Sequence, residues 1–323
     1  MRLLQDLSSQ FNILPACLRI DIITFDRRDV IGRGGEATVY RGQMLQKPVV
    51  IREVVMARRE WNRPLGRKVT KLVHREALTH SWLSHANIIP FLGIYHEEVG
   101  SPPMVVLPFV DGGSLQDLLD DEPLTLEQFE KIVLGTAQGV LYLHTRTPPI
   151  IHGDLHPGNI LLGKSGHPYI CDFGLSRLRH EITRTRTMMF EAGRLRFLAP
   201  ELSSGSEPFR TTPESDIFSL AMTFLNAWTG EPPFFDIENE RRVSSEFQIG
   251  NRPTMFYPGF ECPGLLSLLS GMWAQIPSAR PLMPEVLGLL LGIFQPAASM
   301  VPANQAGQLE LMEPYVGKIP WHM

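Results

Sequence analysis

The spacing of apolar residues changes near residues 108–113, and this change limits the folds open to the chain. Before it, short β-branched runs alternate with glycine, as in "DVIGRGGEATVYRG" and "VVIREVV", which predicts an antiparallel hairpin followed by a third strand. "IIPFLGIY" and "MVVLPFV" are also typical of strands, and Pro108 limits the second because proline has no N–H to donate. Beyond residue 113 the apolar spacing is helical. We therefore expect a small β-rich lobe followed by a larger helical lobe.

One helix is expected inside the β-rich half and several beyond it. "GRKVTKLVHREALTHSWLSHANI" has helical spacing, continues it to Leu83, and places Glu76 on the face that carries Leu72 and Val73. "LTLEQFEKIVLGTAQGVLYLH" predicts a long helix whose N-cap is Thr125. The same spacing recurs in "SDIFSLAMTFLNAWTG", "PGLLSLLSGMWAQ" and "PEVLGLLLGIF".

A charged pair interrupts the β-branched run "VVIREVV", where Arg52 and Glu53 stand in its middle. Arginine stays charged at any ordinary pH, so burying it without a partner is costly. We therefore expect Arg52 to have an acidic partner elsewhere in the chain.

The overall charge and cysteine usage exclude some classes of protein. The 323 residues are 43% hydrophobic with a net charge of -4, so no basic footprint for nucleic acid or for an anionic membrane is expected. Three cysteines far apart in sequence fit a reducing compartment better than a disulfide framework. The first residues do not form the apolar centre of a secretory signal. We expect an intracellular protein, in the cytoplasm or nucleus with the cytoplasm favoured, whose oligomeric state the sequence leaves open.

Two short segments carry groups suited to phosphate chemistry. "IIHGDLHPGNILL" contains Asp154 and, five residues later, Asn159, and "YICDFGLSR" places Asp172 at the end of a strand-like run. Carboxylate and amide oxygens are ligands of magnesium, and a carboxylate can accept a proton. These segments therefore predict a site for a magnesium-bound phosphate.

The ordered set of motifs resembles the eukaryotic protein kinase domain over about residues 29–294. "IGRGGEATV" resembles the glycine-rich loop, "HREAL" the glutamate of helix C, "HGDLHPGN" the catalytic loop, "DFG" the magnesium-binding triplet and "APE" the end of the activation segment. Asp216 resembles the aspartate that anchors the catalytic loop, and Arg280 the arginine that pairs with Glu201. The style of "HANIIPFLGIY" and "MWAQIPSARP" is similar to the tyrosine-kinase-like branch, and the opening "LPACLRIDIITFDRRDVIGRG" is similar to expanded kinases of mushroom-forming fungi.

This resemblance implies an α+β, bilobal kinase-like fold, with a β-rich N-lobe that includes helix C and a larger, mainly helical C-lobe. The expected divisions are an N-terminal extension at 1–28, the N-lobe at 29–110, the C-lobe at 111–294 and a C-terminal tail at 295–323.

The resemblance also implies a reaction, a serine/threonine-type transfer from ATP, with Mg, to a protein substrate. Asp154 would deprotonate the substrate hydroxyl, Asn159 and Asp172 would hold magnesium, and Arg52 would pair with Glu76. The remaining nucleotide contacts are implied at Ile31, Gly32, Gly34, Val39, Val50, Leu107, Pro108, Val110 and Leu161.

Four positions depart from the usual kinase pattern: Arg52 replaces the strand lysine, Ala37 the third loop glycine, Gly153 the arginine before the catalytic aspartate, and His156 a lysine two residues after it. Arg52 has the largest consequence because its guanidinium is larger and planar, so pairing it with Glu76 would leave the phosphates misplaced and lower the rate by about 100-fold. A pseudokinase that binds nucleotide or acts as a scaffold is therefore an alternative. A small-molecule phosphotransferase is a further alternative, favoured by "HGDLHPGN" and opposed by "APE" and "SDIFSLAM".

Overall fold

A computed structural model describes the chain at residues 14–33, 37–55, 61, 63–98, 101–173, 193–203, 210–254 and 262–294. The described residues up to Phe109 belong to one compact unit, and those from Val110 onward belong to a second. The first unit is β-rich and the second is mainly helical, which confirms the predicted α+β class.

Among the described residues of the first unit, six strands form one sheet in the order β1-β5-β6-β4-β3-β2. The strands are β1 (Arg19–Ile20), β2 (Thr24–Arg33), β3 (Ala37–Met44), β4 (Lys47–Val54), β5 (Gly93–Tyr95) and β6 (Met104–Pro108). β2, β3 and β4 are antiparallel neighbours, so the predicted hairpin and third strand are confirmed. β6 ends at Pro108, as its missing N–H predicts.

The strand β1 was not predicted from the sequence. It pairs in parallel with β5, placing Arg19 opposite Ile94 and Ile20 opposite Tyr95. Both β1 and the first residues of β2 lie within the segment 1–28 that was predicted to be an extension. Two residues are too few to show a period of two, so only the partner strand makes β1 recognisable.

The central strand β4 sends alternate side chains to opposite faces of the sheet. Val49 and Ile51 are fully buried in an apolar cluster on one face. Arg52 lies on the other face, where it stands opposite Val39 of β3 and Val105 of β6. Because cross-strand partners share a face, Arg52 is flanked by apolar side chains on both sides and is only 8% exposed.

The neighbouring charge, Glu53, has partners of its own on the face opposite Arg52. The guanidinium of Arg27 donates to Glu53 Oε2 over 2.8 Å and to Glu97 Oε2 over 2.7 Å, and the Tyr40 hydroxyl donates to Glu53 over 2.9 Å. Hydrogen bonds to Glu97 and then Glu53 raise the pKa of Arg27 above its ordinary value. The two adjacent charges of "VVIREVV" therefore belong to separate environments.

The helix predicted inside the β-rich half is α1 (Pro64–His80), which carries the half-buried Glu76. Proline suits its first position because that N–H would have no partner in the helix. The helix ends at His80, so Leu83, which the apolar spacing includes, lies beyond it. The His80 ring nitrogen Nε2 lies 2.7 Å from the Ile89 carbonyl and fixes the C-terminal end of α1 to the following loop.

Among its described residues, the second unit contains the four predicted helices and three others. In chain order they are α2 (Leu115–Asp121), α3 (Leu126–His144), α4 (Pro200–Ser203), α5 (Pro213–Thr229), α6 (Glu240–Gln248), α7 (Pro263–Met272) and α8 (Met283–Phe294), of which α3, α5, α7 and α8 were predicted. Thr125 caps α3 by accepting from the N–H of Gln128, whose side chain returns the bond, so the predicted N-cap is confirmed. Residues 215–227 of α5 are all buried, which makes this helix the centre of the unit.

The second unit also contains a short antiparallel pair, β7 (Ile160–Leu162) and β8 (Pro168–Ile170). None of the helices in the described ranges combines the length and apolar character needed to cross a bilayer.

Titration of His74 should make the stability of the protein depend on pH. His74 lies on α1 at 5% exposure, and burial, followed by the charges of His96 and Arg19, lowers its pKa from 6.5 to about 4. Because the folded protein holds this ring neutral, the contribution of His74 to the free energy of unfolding is complete above pH 6.5 and is lost as the pH falls toward 4. We expect the wild type to lose up to about 3 kcal/mol of unfolding free energy between pH 7 and 4 through this histidine, and His74→Leu not to show that loss. Denaturant unfolding at several pH values measures both proteins.

The matched control for this experiment is His167→Leu, which removes a histidine of the second unit. An unchanged pH dependence in His74→Leu, relative to the wild type and this control, would contradict the assignment.

Candidate active site

The loop that carries Asp154 is fixed by a buried carboxylate on α5. Asp216 is 1% exposed, and its two oxygens accept from the backbone N–H groups of His152 and Gly153, both over 2.7 Å. Nε2 of His144, at the end of α3, lies 2.9 Å from Asp216 Oδ2. The prediction that Asp216 anchors this loop is confirmed.

Gly153 has a conformational role at the position where the family carries arginine. Its φ is 74°, a left-handed value that glycine adopts without the penalty of a Cβ atom. The two N–H groups that donate to Asp216 belong to Gly153 and to the residue before it, so the left-handed bend comes directly where the loop meets the carboxylate.

His152 connects the loop to the strand end that precedes Asp172. Its ring is fully buried, Nδ1 accepts from the Asp154 N–H over 3.2 Å, and Nε2 lies 2.9 Å from the Cys171 carbonyl. A ring nitrogen that accepts carries no proton, so Nε2 is the protonated nitrogen and donates to that carbonyl. The bonds therefore require neutral His152 and set its tautomer.

The pairing of β7 with β8 brings the two predicted magnesium ligands together. Ile160 lies opposite Ile170, and beyond this pair the Cys171 N–H donates to the Asn159 carbonyl over 3.0 Å. Asp172 follows directly with a φ of 59°, a left-handed value that is uncommon outside glycine. Such conformations concentrate at functional sites because the surrounding structure must enforce them.

The amide of Asn159 has a fixed orientation. Its Nδ2 donates to the Asp154 carbonyl over 2.8 Å and to the Asp154 carboxylate over 2.7 Å. An amide nitrogen has two protons, and both are used on Asp154, so the oxygen Oδ1 is the atom turned away from that residue.

This donor set fits magnesium. The described residues contain no group of three His, Cys, Asp or Glu side chains arranged for a metal ion. Magnesium commonly takes one or two protein oxygens and completes its coordination with water and substrate phosphates. Asn159 Oδ1 and the carboxylate of Asp172 meet that requirement, and the fixed amide of Asn159 presents an oxygen rather than a nitrogen.

Several predicted nucleotide contacts share one face of the first sheet. Gly32 lies opposite Val39, Val39 opposite Arg52, and Val50 opposite Leu107. Residues opposite one another share a face of the sheet, and so do alternate residues along a strand. The five predicted contacts just named therefore lie on the same face.

The other predicted nucleotide contacts have varied positions. Ile31 is the extra residue of a bulge in β2 and is 40% exposed, whereas Pro108 ends β6 opposite Val49. Val110 and Leu161 belong to the second unit, and Gly34 lies outside the described residues. The nucleotide-binding roles of all these residues stay predictions.

Arg52 is buried. Arg52 and Glu76 each take part in an interaction within the chain. The specific pairing of Arg52 with Glu76 stays a prediction.

An ion pair built on a buried arginine joins the "APE" segment to the loop before α8. Both terminal nitrogens of Arg280 donate to the carboxylate of Glu201, over 2.7 and 2.8 Å. The same guanidinium donates to the carbonyls of Ala274 and Glu214, and its side chain has no exposed surface. The predicted pairing of Arg280 with Glu201 is confirmed.

Sequence reasoning missed Arg194, which lies in a short turn, Arg194–Arg196, before α4. Its guanidinium donates to the Asp154 carboxylate across a separation of 40 residues. Nothing local in "GRLRF" indicates which of its two arginines reaches the loop, because Arg196 turns instead to the carbonyls of residues 233, 234 and 237.

The chain matches the family described as Protein kinase domain over residues 25–289. It is 30% identical over 301 residues to serine/threonine-protein kinase TNNI3K of Mus musculus, covering 92% of this chain and 35% of that protein. It is 32% identical over 209 residues to receptor-interacting serine/threonine-protein kinase 4 of the same species, covering 62% of this chain and 25% of that protein. It is 30% identical over 266 residues to probable serine/threonine-protein kinase drkD of Dictyostelium discoideum, covering 82% and 19%. The chain thus spans 35% or less of the length of these curated relatives.

Replacing Asp216 with asparagine should weaken the loop. The amide offers one oxygen where the carboxylate accepts two backbone N–H groups, so one of these donors loses its partner. We expect Asp216→Asn to lower the free energy of unfolding by about 2 kcal/mol, measured by denaturant titration. Asp236→Asn, an exposed acid on the same unit, is the control and should change it little. Equal stability of the two variants would show that Asp216 does not support the loop.

Proposed function

The chain belongs to the protein kinase domain family, and we propose that it transfers the γ-phosphoryl group of ATP to a hydroxyl of a protein, as a serine/threonine-type kinase. The observation that supports this most directly is the arrangement around Asp154. Both protons of the Asn159 amide are directed to Asp154, while Asn159 is joined through Cys171 to the strand end that carries Asp172. A proton acceptor and two oxygen ligands therefore occupy one small region of the second unit.

In the proposed reaction, Asp154 orients the substrate hydroxyl and accepts its proton as the hydroxyl oxygen attacks the γ-phosphorus. The bond from that phosphorus to the bridging oxygen breaks, and its electron pair leaves with ADP. Asn159 and Asp172 would hold magnesium, which neutralises charge on the transferred group when bound. His152 keeps Asp154 in place because the Asp154 N–H is bonded to a neutral, fully buried ring.

A nucleotide-binding pseudokinase is the second candidate, and the burial of Arg52 favours it. Arg52 occupies the central strand of its sheet at 8% exposure, where a larger planar cation changes the geometry offered to phosphates. The loss of one preorganised electrostatic donor typically lowers a rate by about 100-fold. We infer reduced turnover rather than none, because Asp154, Asn159 and Asp172 are all retained.

Finer features are proposed on the resemblance. They are membership of the tyrosine-kinase-like branch, similarity to kinases of mushroom-forming fungi, the division at 1–28, 29–110, 111–294 and 295–323, and a protein rather than a nucleic acid or membrane as partner. The serine/threonine-protein kinase relatives favour serine and threonine over tyrosine as acceptors.

Replacing Asp154 with asparagine should abolish phosphorylation. We expect the purified chain with Mg-ATP to label a generic basic or casein-like protein, and Asp154→Asn to label it at least about 100-fold more slowly because the proton acceptor is lost. Radiolabel transfer measures both rates, and Asp121→Asn, an exposed acid, serves as the control.

The same preparations separate the two candidate functions. No transfer above the Asp154→Asn background would contradict the kinase proposal. A nucleotide-dependent rise in melting temperature without transfer would instead support the pseudokinase candidate.

Replacing Arg52 with lysine should raise turnover. Lysine supplies a compact charge to the phosphates, so we expect kcat to increase by up to about 100-fold while KM for ATP changes less. The control is Arg28→Lys, whose side chain is 91% exposed. Unchanged or lower activity would mean that the site is adapted to arginine.

A further inference from the structure

We propose that Arg194 is a built-in positioning residue of this centre: it holds the Asp154 carboxylate and places there the permanent positive charge that residues 153 and 156 do not supply. This inference rests on the proposed kinase function and adds a residue that the family pattern of this chain does not assign. It concerns side chains of the second unit alone.

The contact is direct and sheltered. Nη2 of Arg194 donates to Oδ2 of Asp154, and the two side chains are 13% and 14% exposed. Nδ2 of Asn159 donates to the same oxygen over 2.7 Å, and Nε2 of His156 lies 3.4 Å from it. A charge-assisted hydrogen bond of this kind is stronger than one between neutral groups, and partial burial reduces its screening.

The turn that carries Arg194 is itself fixed. The Gly193 N–H donates to the Glu240 carboxylate of α6, on one side of Arg194. On the other side, the buried Arg196 donates to the carbonyls of Pro233, Phe234 and Ile237 over 2.6 to 2.8 Å. The backbone from which the Arg194 side chain extends toward Asp154 is therefore fixed on both sides.

The turn also packs against the second polar residue of the loop. The Phe197 ring lies 6.1 Å from the His156 ring between centroids. Nδ1 of His156 accepts from the Gly158 N–H, so this ring supports the Pro157–Asn159 turn. A segment that only blocked Asp154 would have to move away before catalysis. The Arg194–Arg196 turn is instead anchored on both sides of Arg194 and packed against the loop that carries Asp154.

The charges of the loop explain what Arg194 adds. In residues 152–159 Asp154 carries the only permanent charge, because position 153 is glycine and position 156 is histidine. A transferring phosphoryl group carries negative charge that preorganised cations stabilise. Arg194 brings a guanidinium to Asp154 from outside the loop and replaces the charge missing inside it. Arg194 neither gains nor loses a proton in the transfer, and the substrate proton passes to Asp154.

Turnover of four variants tests this role. We expect Arg194→Gln to lower kcat by about 100-fold with little change in KM for ATP, and Arg194→Lys to lose less because it keeps the charge. Adding His156→Lys to Arg194→Gln should recover about tenfold, since a charge then returns within the loop. Arg241→Gln, an exposed residue of α6, is the control and should match the wild type. A kcat that rises or stays the same in Arg194→Gln overturns the proposal.

A binding measurement separates this inference from the kinase proposal. Mg-ADP with aluminium fluoride mimics the transferring phosphoryl group and needs no protein substrate. We expect it to raise the melting temperature more in the wild type than in Arg194→Gln, while Mg-ADP alone raises both equally. If the wild type shows this larger shift but no turnover, the result supports the positioning role of Arg194 and contradicts only the kinase proposal. Equal shifts overturn the inference, whether or not the wild type turns over. Arg194→Met, which also lacks the charge, replaces Arg194→Gln in this measurement if Arg194→Gln does not fold.

Discussion

The carboxylate of Asp216 is the interaction on which the second unit's site depends. It is buried on α5, whose residues 215–227 are all inside, and it accepts the N–H groups of two successive loop residues. A buried charge of this kind is stable only when its hydrogen bonds are satisfied, so the loop and the helix fix one another. Through His152 the same loop is joined to the strand end before Asp172. Positioning of this kind supplies most of the catalysis in phosphoryl transfer.

The arginines of the second unit differ in the partners to which their guanidinium groups donate. Arg280 and Arg196 are buried and are directed at a carboxylate or at backbone carbonyls, so they join segments that lie far apart in sequence. Arg194 differs because its partner is Asp154, the predicted proton acceptor. The departures at Arg52, Gly153 and His156 therefore have to be judged together with Arg194. Comparing the loop with the kinase motif position by position reveals the missing charges at 153 and 156. It does not reveal a charge that a different segment of the chain supplies.

Much of the fold was predictable because its signals are local. The β-branched run "VVIREVV" predicted β4, and the capping pattern at Thr125 predicted the start of α3. Prediction failed where local signals are short or continue past the true boundary. β1 has two residues and exists through its pairing with β5, and the apolar spacing reaches Leu83 although α1 ends at His80. For β1 the deciding contacts come from a strand distant in sequence. At the end of α1 the Trp82 and Leu83 N–H groups bond to the carbonyls three residues earlier, a turn that apolar spacing does not reveal.

The sequence by itself determined the chemistry of the site: Asp154, Asn159 and Asp172 stand in an order that predicted a proton acceptor and two oxygen ligands, and Arg52 was recognisable as a buried cation. Only the tertiary structure decided how these groups are held. The orientation of the Asn159 amide, the tautomer of His152 and the pairing of Arg194 with Asp154 each depend on particular hydrogen-bond partners among many available in the chain. Hydrogen bonds act over about 3 Å, so folding must bring the partners together before the choice is made.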